Sequence, residues 1–173
     1  MELKARTRMP FPRELVYRTI RDRLPELAPY MPNVKEIQMK ERVEDGPRVR
    51  FLNIWFGKTE IPAIAQRYVK PELFQWTDKA VWDESDFSCE WAIETHAWPG
   101  VVVCSGRNVY VTIGNETELQ INGTLTLNLD KAPIPRLFVG TVRPIVEKLI
   151  VAGLTPNLTS IGDAVGGFLK AQK

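Results

Sequence analysis

The pattern of apolar and polar positions divides the chain into a strand-rich front and a helical end. From Ile134 to Lys173 apolar side chains recur at Leu137, Phe138, Val142, Ile145, Val146, Leu149, Ile150, Leu154, Leu158, Ile161, Val165, Phe168 and Leu169. Steps of three and four predict one long helix with a wide buried face. Pro135 suits its opening turn, whereas Pro144 and Pro156 fall inside it and predict bends.

The front half alternates instead. Glu2 to Met9 reads as a half-buried strand with Leu3, Ala5, Thr7 and Met9 on one side. Pro12 to Arg23 reads as a short helix with Leu15, Val16, Thr19 and Ile20 inward, followed by a helical turn from Pro25 to about Tyr30. Val34 to Val43 places Ile37, Met39 and Val43 on one face, and Glu41 shares that parity close to the hairpin end. Asp45-Gly46 turns the chain into a strand from Pro47 to Phe56. Ile61 to Tyr68 fits either a strand or a short helix. Further strands are expected at Gln75 to Trp82, Asp86 to Trp98, Val101 to Ile113 and Glu118 to Leu129, with turns at Pro99-Gly100 and Gly114-Asn115.

Composition adds limits. With 173 residues, 44% hydrophobic and 25% charged, the chain suits one globular domain with a full core. A net charge of +2, from 23 basic and 21 acidic residues, offers no field to recruit nucleic acid or anionic lipid. The start, Glu2 to Arg8, has no apolar signal region, and no apolar run is long enough to span a bilayer, so a cytoplasmic protein is expected. Cys89 and Cys104 flank the Pro99-Gly100 turn and should face about residues 109 to 111 and 94 to 96 respectively, so free thiols are expected. No metal-ligand spacing, nucleotide loop or serine-nucleophile elbow occurs, so no metal or cofactor is expected.

One strand, two short helices, about six antiparallel strands and a long final helix resemble the helix-grip fold of the START and SRPBCC superfamily, also called polyketide-cyclase-like. The resemblance covers nearly the whole chain, through Pro12-Arg13-Glu14-Leu15-Val16-Tyr17, the Trp76-Thr77-Asp78 to Trp82-Asp83 strand, and the ending Pro156-Asn157-Leu158 to Phe168-Leu169. It implies an α+β architecture, a curved antiparallel sheet wrapped around the C-terminal helix. It also implies a cavity for an apolar small molecule, a lipid, isoprenoid or polyketide. Entry would involve the final helix and the region around Phe56 to Arg67.

Strand parity then suggests the lining. Asp78 shares a face with Trp76, Ala80 and Trp82, where a desolvated carboxyl would have a raised pKa and could act as acid or base; pairing with an inward Arg or hydroxyl, or a bulge turning it outward, would serve structure alone. Arg107 could share a face with Val109 and Val111 opposite Trp91 or Ile93 and hold a ligand anion, unless Gly106 introduces a bulge. The expected lining is Trp55, Trp76, Asp78, Trp82, Phe87, Trp91, Arg107, Val109, Tyr110, Leu125, Phe138, Val142, Ile145 and Leu149. Five tryptophans suit the walls of a planar ligand, or they fill the core. His96 falls on the outer parity of its strand. An apolar-ligand carrier leads. The alternatives are a cyclase, dehydratase or hydrolase using Asp78 and Arg107, with Tyr110 as a further candidate, and a protein-interaction module of chaperone-activator type with Trp98 in its contact patch.

Overall fold

The structure, a computed structural model, describes residues 1–58, 74–97, 99–128, 131, 140 and 160–172. Ile61 to Tyr68, Trp98, the bends at Pro144 and Pro156, and most of the 134–173 helix lie outside the described residues. The described elements are β1 (Glu2–Met9), α1 (Arg13–Leu27), a 3-10 turn (Ala28–Tyr30), β2 (Val34–Asp45), β3 (Arg48–Gly57), β4 (Gln75–Asp83), β5 (Ser88–Thr95), β6 (Val102–Ile113), β7 (Glu116–Leu127) and a helix at 160–171, here α2.

The seven strands form one antiparallel sheet in the order β1-β7-β6-β5-β4-β3-β2. Neighbours in sequence pair through hairpins, and β1 closes the far edge against β7. The β2–β3 register leaves only Gly46 and Pro47 between Asp45 and Arg48. Gly46 has φ +59°. Proline cannot follow it into positive φ, so the hairpin takes the glycine-first form of a tight turn.

One end of the concave face is a packed core. Val16, Tyr17, Ile20, Leu24 and Leu27 form the buried stripe of α1. Tyr17 sits edge-on to Trp82, Phe87 and Tyr110, with ring centroids 5.1, 5.2 and 5.3 Å away, and its hydroxyl donates to the Ser88 carbonyl at 3.3 Å. Leu15, expected inward, is 45% exposed because it lies one helical step off the stripe. Arg23 leaves helical geometry (φ −122°, ψ 22°), two residues before Pro25, whose ring and missing N–H interrupt the helix.

α2 seals the same end. Ala164, Val165 and Phe168 are buried, and the Arg23 guanidinium lies 4.5 Å over the Phe168 ring while donating to Gln172 at 2.8 Å. Gly162 and Gly167 let the helix approach Thr7 and Tyr30, where a Cβ would collide.

A bulge corrects the expected facing of β2. The register skips a residue between Met39 and Glu41, so Met39 opposes Asn53 while Glu41 opposes Leu52. Glu41 and Val43 therefore turn to the outer face, where Val43 is 46% exposed. Arg42 comes inward instead, 5.3 Å over the Phe51 ring and bonded to Asp22 of α1 at 3.0 Å.

Candidate functional site

Directly opposed residues share a face of the sheet, so the registers define rows across its concave side. One row runs Met39, Asn53, Asp78, Ile93, Cys104, Leu125. Next to it lie Ile37, Trp55, Trp76 and Thr95. On the other side run Phe51, Ala80, Trp91, Gly106, Gly123 and Leu3, and then Val49, Trp82, Cys89, Asn108, Ile121 and Ala5.

The first row carries a buried polar centre in an apolar surround. Asn53 is 1% exposed and Asp78 9%. The Asn53 amide donates to Asp78 Oδ2 at 3.1 Å, which fixes the amide's orientation and leaves its Oδ1 without a partner. The Trp55 indole N–H is also buried without a hydrogen bond. It lies near enough to favour the charged carboxylate, yet short of hydrogen-bond geometry. Burial outweighs both donors and raises the Asp78 carboxyl from 3.8 to about 6. Beside this centre, Trp55 and Trp76 stack at 5.7 Å between centroids and 19° between planes. Ile93, Cys104, Leu125 and Leu3 continue the apolar floor.

Trp91 joins the two halves. Its Nε1 donates to Asn108 Oδ1 at 2.8 Å, and its ring covers Gly106 and Gly123. A Cβ on Gly106 would lie 2.5 Å from Trp91 Cζ2, and one on Gly123 would lie 3.1 Å from Cη2. Gly106 thus makes room for an indole. The register runs through it unbroken, without the bulge considered above.

Arg107 is not part of this site. It opposes Glu90, on the outer face, and its guanidinium bonds Asp86 and the Ser88 hydroxyl. Val109 goes with it, opposite Ser88 and Gln120. The inward residues of β6 are Cys104, Gly106, Asn108 and Tyr110, because Trp91 pairs with Gly106. Tyr110 is inward but belongs to the packed end with Trp82 and Phe87, the last in the turn before β5 at φ +52°. Trp55, Trp76, Asp78, Trp91 and Leu125 remain together on the concave face. Phe138, Val142, Ile145 and Leu149 lie outside the described residues.

Cys89 opposes Asn108 and Cys104 opposes Ile93, because the β5–β6 connection centres one residue earlier than a turn on Pro99-Gly100 alone would have it. Both thiols are free and buried, and burial lifts Cys104 to about 11. His96 bonds the Thr77 hydroxyl at 2.9 Å, and Thr77 pairs with Glu94 and Ile54 on the outer side. A groove of about 800 Å³ also crosses the outer face. Lys4 pairs there with Glu2, while Lys79 and Arg107 pair with Glu94 and Asp86 beside it, and among the described residues it lacks the buried unpaired atoms of the concave site.

Asn53 and Asn108 were missed in the sequence reading. Their signal was available: each is an amide at an inward position of an apolar strand face, Phe51-Asn53-Trp55 and Cys104-Gly106-Asn108-Tyr110.

A seven-stranded curved antiparallel sheet with a helix after its first strand and another at 160–171 is the helix-grip fold, which the chain shares with solved START and aromatase/cyclase structures. The chain is similar throughout to TTHA0849 from Thermus thermophilus, with 21% identity, a TM-score of 0.67 and 100% of each chain covered. It is similar to the Zhui aromatase/cyclase from a Streptomyces species at 16% identity and a TM-score of 0.58, covering 95% of this chain and 93% of that one. A START superfamily protein from Mycobacterium smegmatis matches at 14% identity and a TM-score of 0.57, with 99% of each chain covered. No protein-family model and no curated protein matches the sequence.

Proposed function

We propose that this chain binds or carries a hydrophobic small molecule, lipid, isoprenoid or polyketide-like, against the concave face of the sheet. The observation that carries the reading is the centre formed by Asn53, Trp55 and Asp78. Buried polar groups in folded proteins are almost always paired, and those that are not call for an explanation. Asn53 Oδ1 and the Trp55 N–H point to a ligand whose polar end completes them, with the Trp55–Trp76 stack and the Ile93–Cys104–Leu125 floor meeting its apolar body. No helix among the described residues is long and apolar enough to cross a membrane, and the cytoplasm is the expected place of work on the sequence reading.

Organic extraction of the purified protein after incubation with native lipid extract, followed by mass spectrometry, tests this. A stoichiometric apolar compound is the expected result. Recovery of nothing above the level of a control protein counts against the reading.

A second reading is a cyclase or dehydratase using the same site, as in the similar aromatase/cyclase. It is favoured by Asp78, whose carboxyl titrates near the pH at which a general base works best. Arg107 has no part in it. Under this reading Asp78→Asn abolishes turnover of a polyketide-like substrate while Arg107→Met leaves it intact; equal activity of both variants would sink it.

A further inference from the structure

Resting on the binding reading above, we propose that the polar end of the ligand is a neutral hydroxyl, on a flat alcohol or phenol, held jointly by Asn53, Trp55 and Asp78. The two unpaired atoms at this centre select the group. Trp55 Nε1–H can only donate, so the ligand atom that meets it must accept. Asn53 Oδ1 can only accept, so the ligand must also donate. A hydroxyl does both from one oxygen.

Other head groups fit less well. A ligand carboxylate brings a second anion beside Asp78 and accepts without donating, which leaves Asn53 Oδ1 orphaned. Among the described residues, no lysine or arginine contributes to the surroundings of Asp78 that would offset such an anion. An ammonium could donate to Asn53 and Asp78, but it would face the Trp55 N–H with no lone pair. A purely apolar ligand would bury both orphan atoms for good, at the cost of their lost hydration. The near-parallel Trp55–Trp76 stack beside the centre argues for a flat body on the ligand.

Four matched probes test the proposal by calorimetric titration at neutral pH: 2-naphthol, 2-methylnaphthalene, 2-naphthoate and 2-naphthylmethylammonium. The expected result is that 2-naphthol binds tightest, about tenfold or more above 2-methylnaphthalene, with the two ions weaker still. Trp55→Phe keeps a ring and removes the donor, and it should lower the naphthol-to-methylnaphthalene ratio while the share due to Asn53 and Asp78 remains. Equal binding of 2-naphthol and 2-methylnaphthalene overturns the hydroxyl proposal while leaving apolar-ligand binding intact. The tightest binding by the ammonium or the carboxylate overturns it in favour of an ionic ligand. Binding by none of the four removes the proposal and weighs against the binding reading itself.

Discussion

Asn53 donates its amide to Asp78 across the β3–β4 pair at 3.1 Å, and in doing so turns its own carbonyl oxygen towards no partner. An amide that served only to satisfy the carboxyl would be expected to find a donor for its other end. The pair therefore behaves as half of a hydrogen-bonded set.

The first consequence is a pH dependence of stability. Asp78 titrates at about 6 when folded against 3.8 for a free group. A carboxyl whose pKa is raised by folding binds more protons in the folded state than in the unfolded one. Its contribution is most favourable below the unfolded value and is lost as pH rises from about 4 to about 6. Asp78→Asn should remove this loss, gaining up to about 3 kcal/mol relative to the parent at about pH 7.5 and little at about pH 4. Urea denaturation at the two pH values checks it; a stability difference independent of pH contradicts the assignment.

Gly123→Ala should destabilise the chain by about 1–3 kcal/mol, since the new Cβ would meet the Ser105 carbonyl at 2.7 Å and the Trp91 ring at 3.1 Å. The penalty should shrink in a Trp91→Leu background, which removes the ring but not the backbone contact. Thermal melts of the single and double variants measure that coupling.

Tyr17 holds the closed end together. Tyr17→Ala should cost about 3–5 kcal/mol because three aromatic rings lose their common neighbour. Tyr17→Phe should cost about 1 kcal/mol, the hydrogen bond to the Ser88 carbonyl alone. Chemical denaturation distinguishes the two, and similar losses for both would mean that the ring packing is not what counts.

Neither cysteine should react with iodoacetamide in the native state. Both are buried, and burial holds both thiols above their ordinary range. Mass spectrometry should find alkylation only after denaturation; fast native labelling of Cys104 would show that this part of the concave face opens.

Much of this molecule was legible in the sequence because alternation with a period of two survives along β1, β4 and β7. The rows through Leu3, Asp78 and Leu125 follow directly from it. The errors came where the period resets without a marker. The bulge after Met39 has no glycine or proline to announce it, and it exchanged Glu41 and Val43 for Arg42 on the inner face. In β6 the apolar residues Val103, Val109 and Val111 lie on the outer face, so hydrophobicity alone assigns Arg107 and Val109 to the inner face while the register places both outside. Gly106 was legible as a special position but not its reason, because the space it leaves is filled by Trp91 from a neighbouring strand. The division of the aromatic residues into a packed set around Tyr17 and the Trp55–Trp76 stack depends on where α1 docks, which no local pattern encodes.

The proposed function requires that an apolar molecule settle against the concave face. The indole N–H signals of the tryptophans, followed by nuclear magnetic resonance during titration with 2-methylnaphthalene and 2-naphthol, test this most directly. Saturable shifts of Trp55 and Trp76 at one ligand per chain, with Lys79 and Arg107 amides unmoved on the outer face, are the predicted result. Unshifted indoles up to the solubility limit of both probes, or movement confined to the outer face, would contradict it.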